Sequence, residues 1–335
     1  MLWSLLITVA FAGYGDAVDG RPNRMEREVH LWTNAVRISP DSFRADFGGD
    51  KHNCYAEFLP EQTVPHAPLA WHDGLGEIAR LHSADMDAFD DVDAGPAGSA
   101  MSHTSSDGTG FADRVKPYYE GHALGENVAW GFKDGFGVVM AWMCSEGHRE
   151  NLMRTTYVEM GVGQVDTYWT QDFGGRDLAP RVLNMGTHLE AEPVDEVTLA
   201  VDAWQATQPV IAVLDGVNYG MQLSDGVAGS GLYNAALPVN AGCHYYWFTS
   251  GQERFPEEGA YGFGDCAFDD AEAGWSGPDT VLAAVPSADL NGDGVRDSDQ
   301  LAMGCDVAGG HAGWVALVGL LALRRRRGLN LPAMT

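Results

Sequence analysis

The sequence predicts an α+β fold for its first half and a small all-β module for its second, with an apolar segment at each end. Three observations lead there. Residues 24 to about 175 mix helix-periodic stretches with hairpin-like strands, the mark of a layered fold built from both elements. Residues 180–285 lose the helical period and carry short strand-like runs separated by turn pairs. At 335 residues the chain is long enough for two domains plus tails.

Taken in order, Leu2 to Phe11 is an apolar run broken only by Ser4 and Thr8. Ala10-Phe11-Ala12 offers a small-x-small cleavage site, with Ala17 as a second, so residues 1–17 read as a secretory signal peptide. Met25 to Ser39 is predicted helical, with Val29, Trp32 and Val36 on one stripe and Pro40 as its stop. Asp73 is placed to cap a second helix with the stripe Leu75, Ile78, Ala79, His82 and Met86. A Gly-rich polar stretch follows from Asp90 to Ser106, and Phe136 to Ser145 reads as a third helix. Tyr157–Val165 and Tyr168–Phe173 read as strands joined by a tight turn.

Beyond residue 180, Thr198–Trp204 alternates with a period of two, and Asp215-Gly216 and Ser224-Asp225-Gly226 read as turns. This pattern predicts an immunoglobulin-like β-sandwich over 180–285, with a spacer or adhesive role. Residues 286–304 form an acidic linker in which Asp289, Asn291, Asp293, Val295 and Asp297 fall at calcium-loop positions one, three, five, seven and nine, and Gly294 at the turn. The Glu expected at position twelve is replaced by Gln300, with Asp299 one residue earlier as a substitute. The stretch resembles the acidic loops of dockerin and thrombospondin type-3 repeats, and weak Ca²⁺ binding is expected there.

At the far end, Val307–Leu323 is mostly apolar and runs straight into Arg324–Arg327. That is the short limit for a membrane-spanning helix, and the arginines would stay cytoplasmic. A Gly-Cys pair, a short apolar helix and an Arg cluster resemble the MYXO-CTERM sorting tail of myxobacteria and their relatives. The resemblance implies that residues 305–327 anchor the chain at the envelope of a Gram-negative bacterium, with Cys305 as the tail cysteine. Of the four cysteines left, Cys243–Cys266 is the expected disulfide, and Cys54–Cys144 the other pairing within one module.

Composition excludes several classes. With 47 acidic and 20 basic side chains the net charge is −27, which repels phosphate backbones, so no nucleic-acid partner is expected. Collagen-like, coiled-coil and wholly disordered chains are ruled out by 45% apolar and 20% charged residues. No H-E-x-x-H, G-x-S-x-G, C-x-x-C or phosphate-cradling glycine loop occurs.

The chemistry-bearing residues lie in four blocks: Leu69–Met86, Met101–Val115, LGENVAWG at Leu124–Gly131, and Ala141–Val165 with Tyr168–Gly174. His103, Glu126 and His148 stand in these blocks beside Asn127 and Glu146. Imidazole nitrogens and a carboxylate brought together suit Zn²⁺ or a similar divalent cation, and equally suit general acid–base work on a water. Spacing alone does not bring them together.

In order and spacing the blocks resemble the SCP/CAP family, named for cysteine-rich secretory proteins, antigen 5 and pathogenesis-related proteins, and in particular its secreted bacterial branch. The resemblance covers residues 24–175 and implies an α-β-α sandwich, a small antiparallel sheet between helical layers. It also implies a cleft with two His and two Glu, of which His103, Glu126 and His148 match three. The fourth position is Ser145, with Glu146 adjacent as a replacement. Asn127 reads as a turn or backbone-bonding residue, and Arg114 and Arg149 as structural. His30, His72 and His82 read as ordinary packed or surface histidines.

The leading expectation is a secreted, envelope-anchored protein that binds a lipid, sterol or extracellular protein at this cleft, with or without a divalent metal. The alternative is a hydrolase of envelope peptides or glycans, with Glu126 and His148 as candidate catalytic groups. A third reading is a purely structural surface protein. The balance leans away from an enzyme.

Overall fold

The structure, a computed structural model, describes residues 13–17, 21–44, 59–90, 101–189 and 195–266. Residues 1–12 of the expected signal peptide, Cys54, the expected calcium loop and the expected sorting tail with Cys305 lie outside them. So does the end of the β module from residue 267.

Helix α1 (Arg24–Ile38) opens with a capping box: Asn23 accepts from Glu26 N–H, and the Glu26 carboxylate accepts from Asn23 N–H. It is followed by the short α2 (Pro40–Phe43), strand β1 (Ala70–Trp71), α3 (Asp73–Asp90), α4 (Phe111–Val115), β2 (Ala123–Trp130), α5 (Gly135–Cys144), α6 (Glu146–Met153), β3 (Glu159–Val165) and β4 (Tyr168–Gly175). The four strands form one sheet in the order β1-β3-β4-β2, so β2 is an edge. This sheet is mixed, not wholly antiparallel. Ala70 and Trp71 pair parallel with Glu159 and Met160, because a long helical crossover separates β1 from β3.

Helix α3 covers one face of the sheet. Its backbone comes so close that a Cβ on Gly161 or Gly163 would lie 2.0–2.1 Å from the amide nitrogens of Gly76 and Arg80. The expected stripe Leu75, Ile78, Ala79, His82 and Met86 is buried there. The cap differs from expectation: Leu75 N–H donates to His72 Nδ1, while Asp73 accepts from the Trp71 indole. Helix α1 lies on the opposite face, where Gln171 donates to Thr33 Oγ1 at 2.9 Å.

The second half comprises β5 (Leu183–Leu189), β6 (Glu196–Ala203), β7 (Val210–Leu214), β8 (Val217–Gly220), β9 (Gln222–Val227), β10 (Ser230–Pro238), β11 (Cys243–Ser250), β12 (Glu253–Phe255) and β13 (Tyr261–Gly264). They form two sheets, β5-β6-β10-β9 and β12-β11-β7-β8, with β13 also paired to β11. Asp215 and Gly216, both at positive φ, make the two-residue hairpin turn between β7 and β8. Ser224-Asp225-Gly226 is not a turn but lies within β9; Asp225 is buried there and bonds the Ser39 and Ser42 hydroxyls. Cys243 and Cys266 are disulfide-bonded. Cys144 is also in a disulfide, with a partner outside the described residues.

The two halves share one core. Helix α1 is wedged between the mixed sheet and β5-β6, so almost its whole circumference is buried, well beyond the one stripe expected. Its polar residues are paired across that wedge: Asn34 donates to Asp202 Oδ2 at 2.7 Å and to Leu69 O at 3.0 Å, and Arg27 packs 3.9 Å over the Tyr261 ring. For the same reason β6 is buried on both faces where alternation was expected.

Candidate functional site

Strand β2 carries the centre of the site. Alternation along β2 sends Glu126 to the α3 face and Asn127 to the α1 face. Glu126 is buried, and its carboxylate meets three basic side chains from three elements. Oε1 accepts from His103 Nδ1 at 2.8 Å, from the loop before α4. Oε2 accepts from the Arg114 guanidinium of α4. His82 Nε2 on α3 stands 4.0 Å from Oε2 and is itself 2.7 Å from Ser102 O.

Arg114 does two jobs. It neutralises Glu126, and its Nη1 donates to Ser105 Oγ at 3.0 Å and to the His103 carbonyl at 3.4 Å. The loop is pinned a second time by Asp85 on α3, which accepts from Ser106 N–H and Oγ–H. The His103 side chain is therefore held by a buried acid yet remains 56% exposed. With Nδ1 donating to Glu126, Nε2 carries the free lone pair on the solvent side.

Directly across the ladder from Glu126 is Asp172 of β4. It is completely buried, and neither oxygen finds a hydrogen-bond donor. Burial, and then the charge of Glu126, push its carboxyl well above the usual range, with Arg114 opposing. Sequence reasoning passed over Asp172. The available signal was a lone acid in the run Tyr168–Gly174, in phase with Tyr168 and Thr170.

His148 follows the third helix but stands on a helix of its own. Ser145 adopts an extended conformation that ends α5, and a separate helix, α6, begins and carries His148 in its first turn. Its ring is largely buried with Nδ1 unpartnered, and its pKa is pulled down to about 4, by burial first and then by the charge of His103. Asn127 fixes α6 to the sheet: its amide donates to His148 O at 3.3 Å and accepts from Asn151 at 3.0 Å. It is thus a buried strand residue rather than a turn residue. Glu146 is exposed on α6, and no hydrogen bond joins it to the site among the described residues. The second acid beside Glu126 is Asp172. His82, read from sequence as an ordinary histidine, belongs to the site.

This donor set does not fit a resident divalent ion on His103, Glu126 and His148. Both Glu126 oxygens are engaged, one of them by a guanidinium whose charge repels a cation. Among the described residues no three His, Cys, Asp or Glu side chains are grouped to hold one. What the arrangement provides is an oriented, solvent-facing imidazole beside a second, neutral one.

Residues 33–173, less than half of the chain, match the family model described as "Cysteine-rich secretory protein family" (CAP). Two Bacillus subtilis proteins are similar to it. They are the "Uncharacterized membrane protein YlbC", 35% identical over 111 residues, and the "Uncharacterized protein YkwD", 34% identical over 113. Each match takes in 32% of this chain, but only 29% and 40% of those relatives' lengths. Among solved structures, an extracellular SCP-domain protein of Bacillus anthracis is 30% identical, covering 33% of this chain and 35% of that one, with a TM-score of 0.30. An outer surface protein of Borrelia burgdorferi is 23% identical, over 34% of this chain and 80% of that one, with a TM-score of 0.28.

Proposed function

We propose that the chain is a cell-envelope protein that binds an extracellular ligand, whether lipid, sterol or protein, at a cleft beside β2 that takes in His103 and His148. The observation that carries this reading is the His103 ring, fixed at Nδ1 by buried Glu126 and open to solvent at Nε2. Such an atom is pre-positioned to bond a ligand at little entropic cost. Export and anchoring rest on the two apolar ends of the sequence, the run before Gly13 and residues 305–327, since Gly13–Ala17, expected within the leader, is hydrogen-bonded into the fold. Similarity to a membrane protein in Bacillus subtilis supports the same location. In this reading the β module extends the CAP domain from the envelope, and Asp289 to Asp299 take up Ca²⁺ near the anchor.

The test is retention from an envelope extract, with bound lipids and proteins identified by mass spectrometry. His103→Ala/His148→Ala should lose whatever the unaltered chain retains. Equal retention by both would refute the cleft as the binding site.

One observation favours a hydrolase as the second reading: an acid-oriented histidine with a free Nε2 is the arrangement of a general base. His103 would then take the proton from water, and Glu126 would orient the ring rather than attack. Release of fragments from peptidoglycan or casein that is lost in His103→Gln would favour this reading over binding.

A further inference from the structure

We infer that a second site lies at the C-terminal end of α1, where a cavity of about 160 Å³ binds a small carboxylate through Nη2 of Arg37. None of the cavity's lining residues belongs to the His103–Glu126 cleft. Arg37 forms its floor and is 1% exposed. Three of its five N–H donors are used: Nε on Ala67 O at 3.1 Å, and Nη1 on Leu152 O at 2.6 Å and Arg154 O at 3.0 Å. Both donors on Nη2 have no protein partner among the described residues.

No acid balances this guanidinium either. Among the described residues it has no ion pair, in a chain with 47 acidic side chains to 20 basic ones. Burial alone pulls its pKa down, to about 9, with no neighbouring carboxylate to oppose the shift. It is still cationic at neutral pH. A buried, unpaired charge is costly, and a structure that keeps one has a use for an anion there.

The walls select the rest of the ligand. Pro68, Tyr157, Leu178 and Pro180 give apolar surface, and the Tyr157 hydroxyl is spent on Leu124 O. The nearby carbonyls at the end of α1 each already accept a hydrogen bond, Ala35 O from Ser39 N–H and Arg37 O from His66 N–H. A cavity of this volume holds a molecule of roughly benzene size. The fitting chemistry is a carboxylate on a short apolar stem, from either a small organic acid or the free C-terminus of a peptide.

Saturation-transfer NMR on the full chain at fixed ionic strength tests this, with propionate and propionamide as probes. Propionate is expected to bind at about millimolar concentration. Propionamide should bind at least ~10-fold more weakly, because it forgoes the charge-assisted bond. Ala179→Trp, at the exposed mouth, should abolish binding without moving the melting temperature, whereas Arg37→Gln risks the fold because it also loses the carbonyl bonds. Acetyl-Ala-Ala as the free acid, against its amide, separates the two sources: tighter binding than propionate assigns a chain end, and weaker binding a free acid. Propionamide binding as well as propionate, unimpaired binding by Ala179→Trp, or no transfer from propionate up to ~50 mM would overturn the inference.

Discussion

Replacing Asp172 by Asn should stabilise the protein at neutral pH, by an amount that grows with pH. Asp172 is wholly buried across the ladder from Glu126, and no donor reaches it. Its pKa is raised well above 3.8 by burial and by Glu126. The folded state therefore holds a proton on Asp172 that the unfolded chain releases near pH 4. Stability is undiminished below pH ~4 and falls as pH rises toward the folded pKa, by about 1.4 kcal/mol for each unit crossed. Asn does not titrate, so the variant lacks this loss. Like the protonated carboxyl it replaces, its amide can donate toward Glu126, so this contact adds no difference at pH 4. Urea unfolding at intervals from pH 4 to pH 8 measures the effect. The two proteins should be nearly equal at pH 4, with the variant pulling ahead as pH rises. A variant less stable than the parent at pH 8, or a difference that does not vary with pH, would refute the reasoning.

Other consequences follow from the same structure. Gly13–Ala17 is built into the fold: Asp16 accepts from Glu258 and Gly259 amides, and Gly15 O accepts from the Tyr261 hydroxyl. If the leader is cut, N-terminal sequencing of secreted protein should find the chain starting at Gly13, after Ala12, and not after Ala17. Asn34→Ala removes three buried hydrogen bonds between α1, Leu69 and Asp202, and should cost ~2–4 kcal/mol in denaturant titrations. Asp202 sits near pKa 7 despite that donor, so its contribution is already lost as pH rises from about 4 to 7. Without Asn34 the loss runs to higher pH, and the measured cost should be larger at pH 8 than at pH 4. Gly163→Ala forces a methyl into the α3 backbone and should lower stability by at least ~1–3 kcal/mol, read as a fall in melting temperature.

Much of the first half was legible because its signals are local. The α3 stripe and the tight turn after Val165 each follow from spacing a few residues long. What escaped was set by distant partners. Helix α1 looks amphipathic, but β5 and β6 arrive from residues 183–203 and bury its polar side as well. The end of the third helix at Ser145 was legible, but the separate helix Glu146–Met153 that carries His148 was not read from its short sequence. His82 and Asp172 join the site because α3 and β4 are laid beside β2, a placement that spacing within either element does not carry. Glu146 failed as the second acid for the complementary reason: closeness in sequence to His148 did not place it inside.

The central claim is that buried Glu126 orients His103 and leaves Nε2 free at the surface. Long-range ¹H–¹⁵N NMR of the histidine rings near pH 7.5 measures this directly. The account predicts the Nδ1–H tautomer for His103, with that preference lost in Glu126→Gln and a neutral His148 down to about pH 4. A His103 ring that carries its proton on Nε2, or that is unaffected by Glu126→Gln, would contradict it.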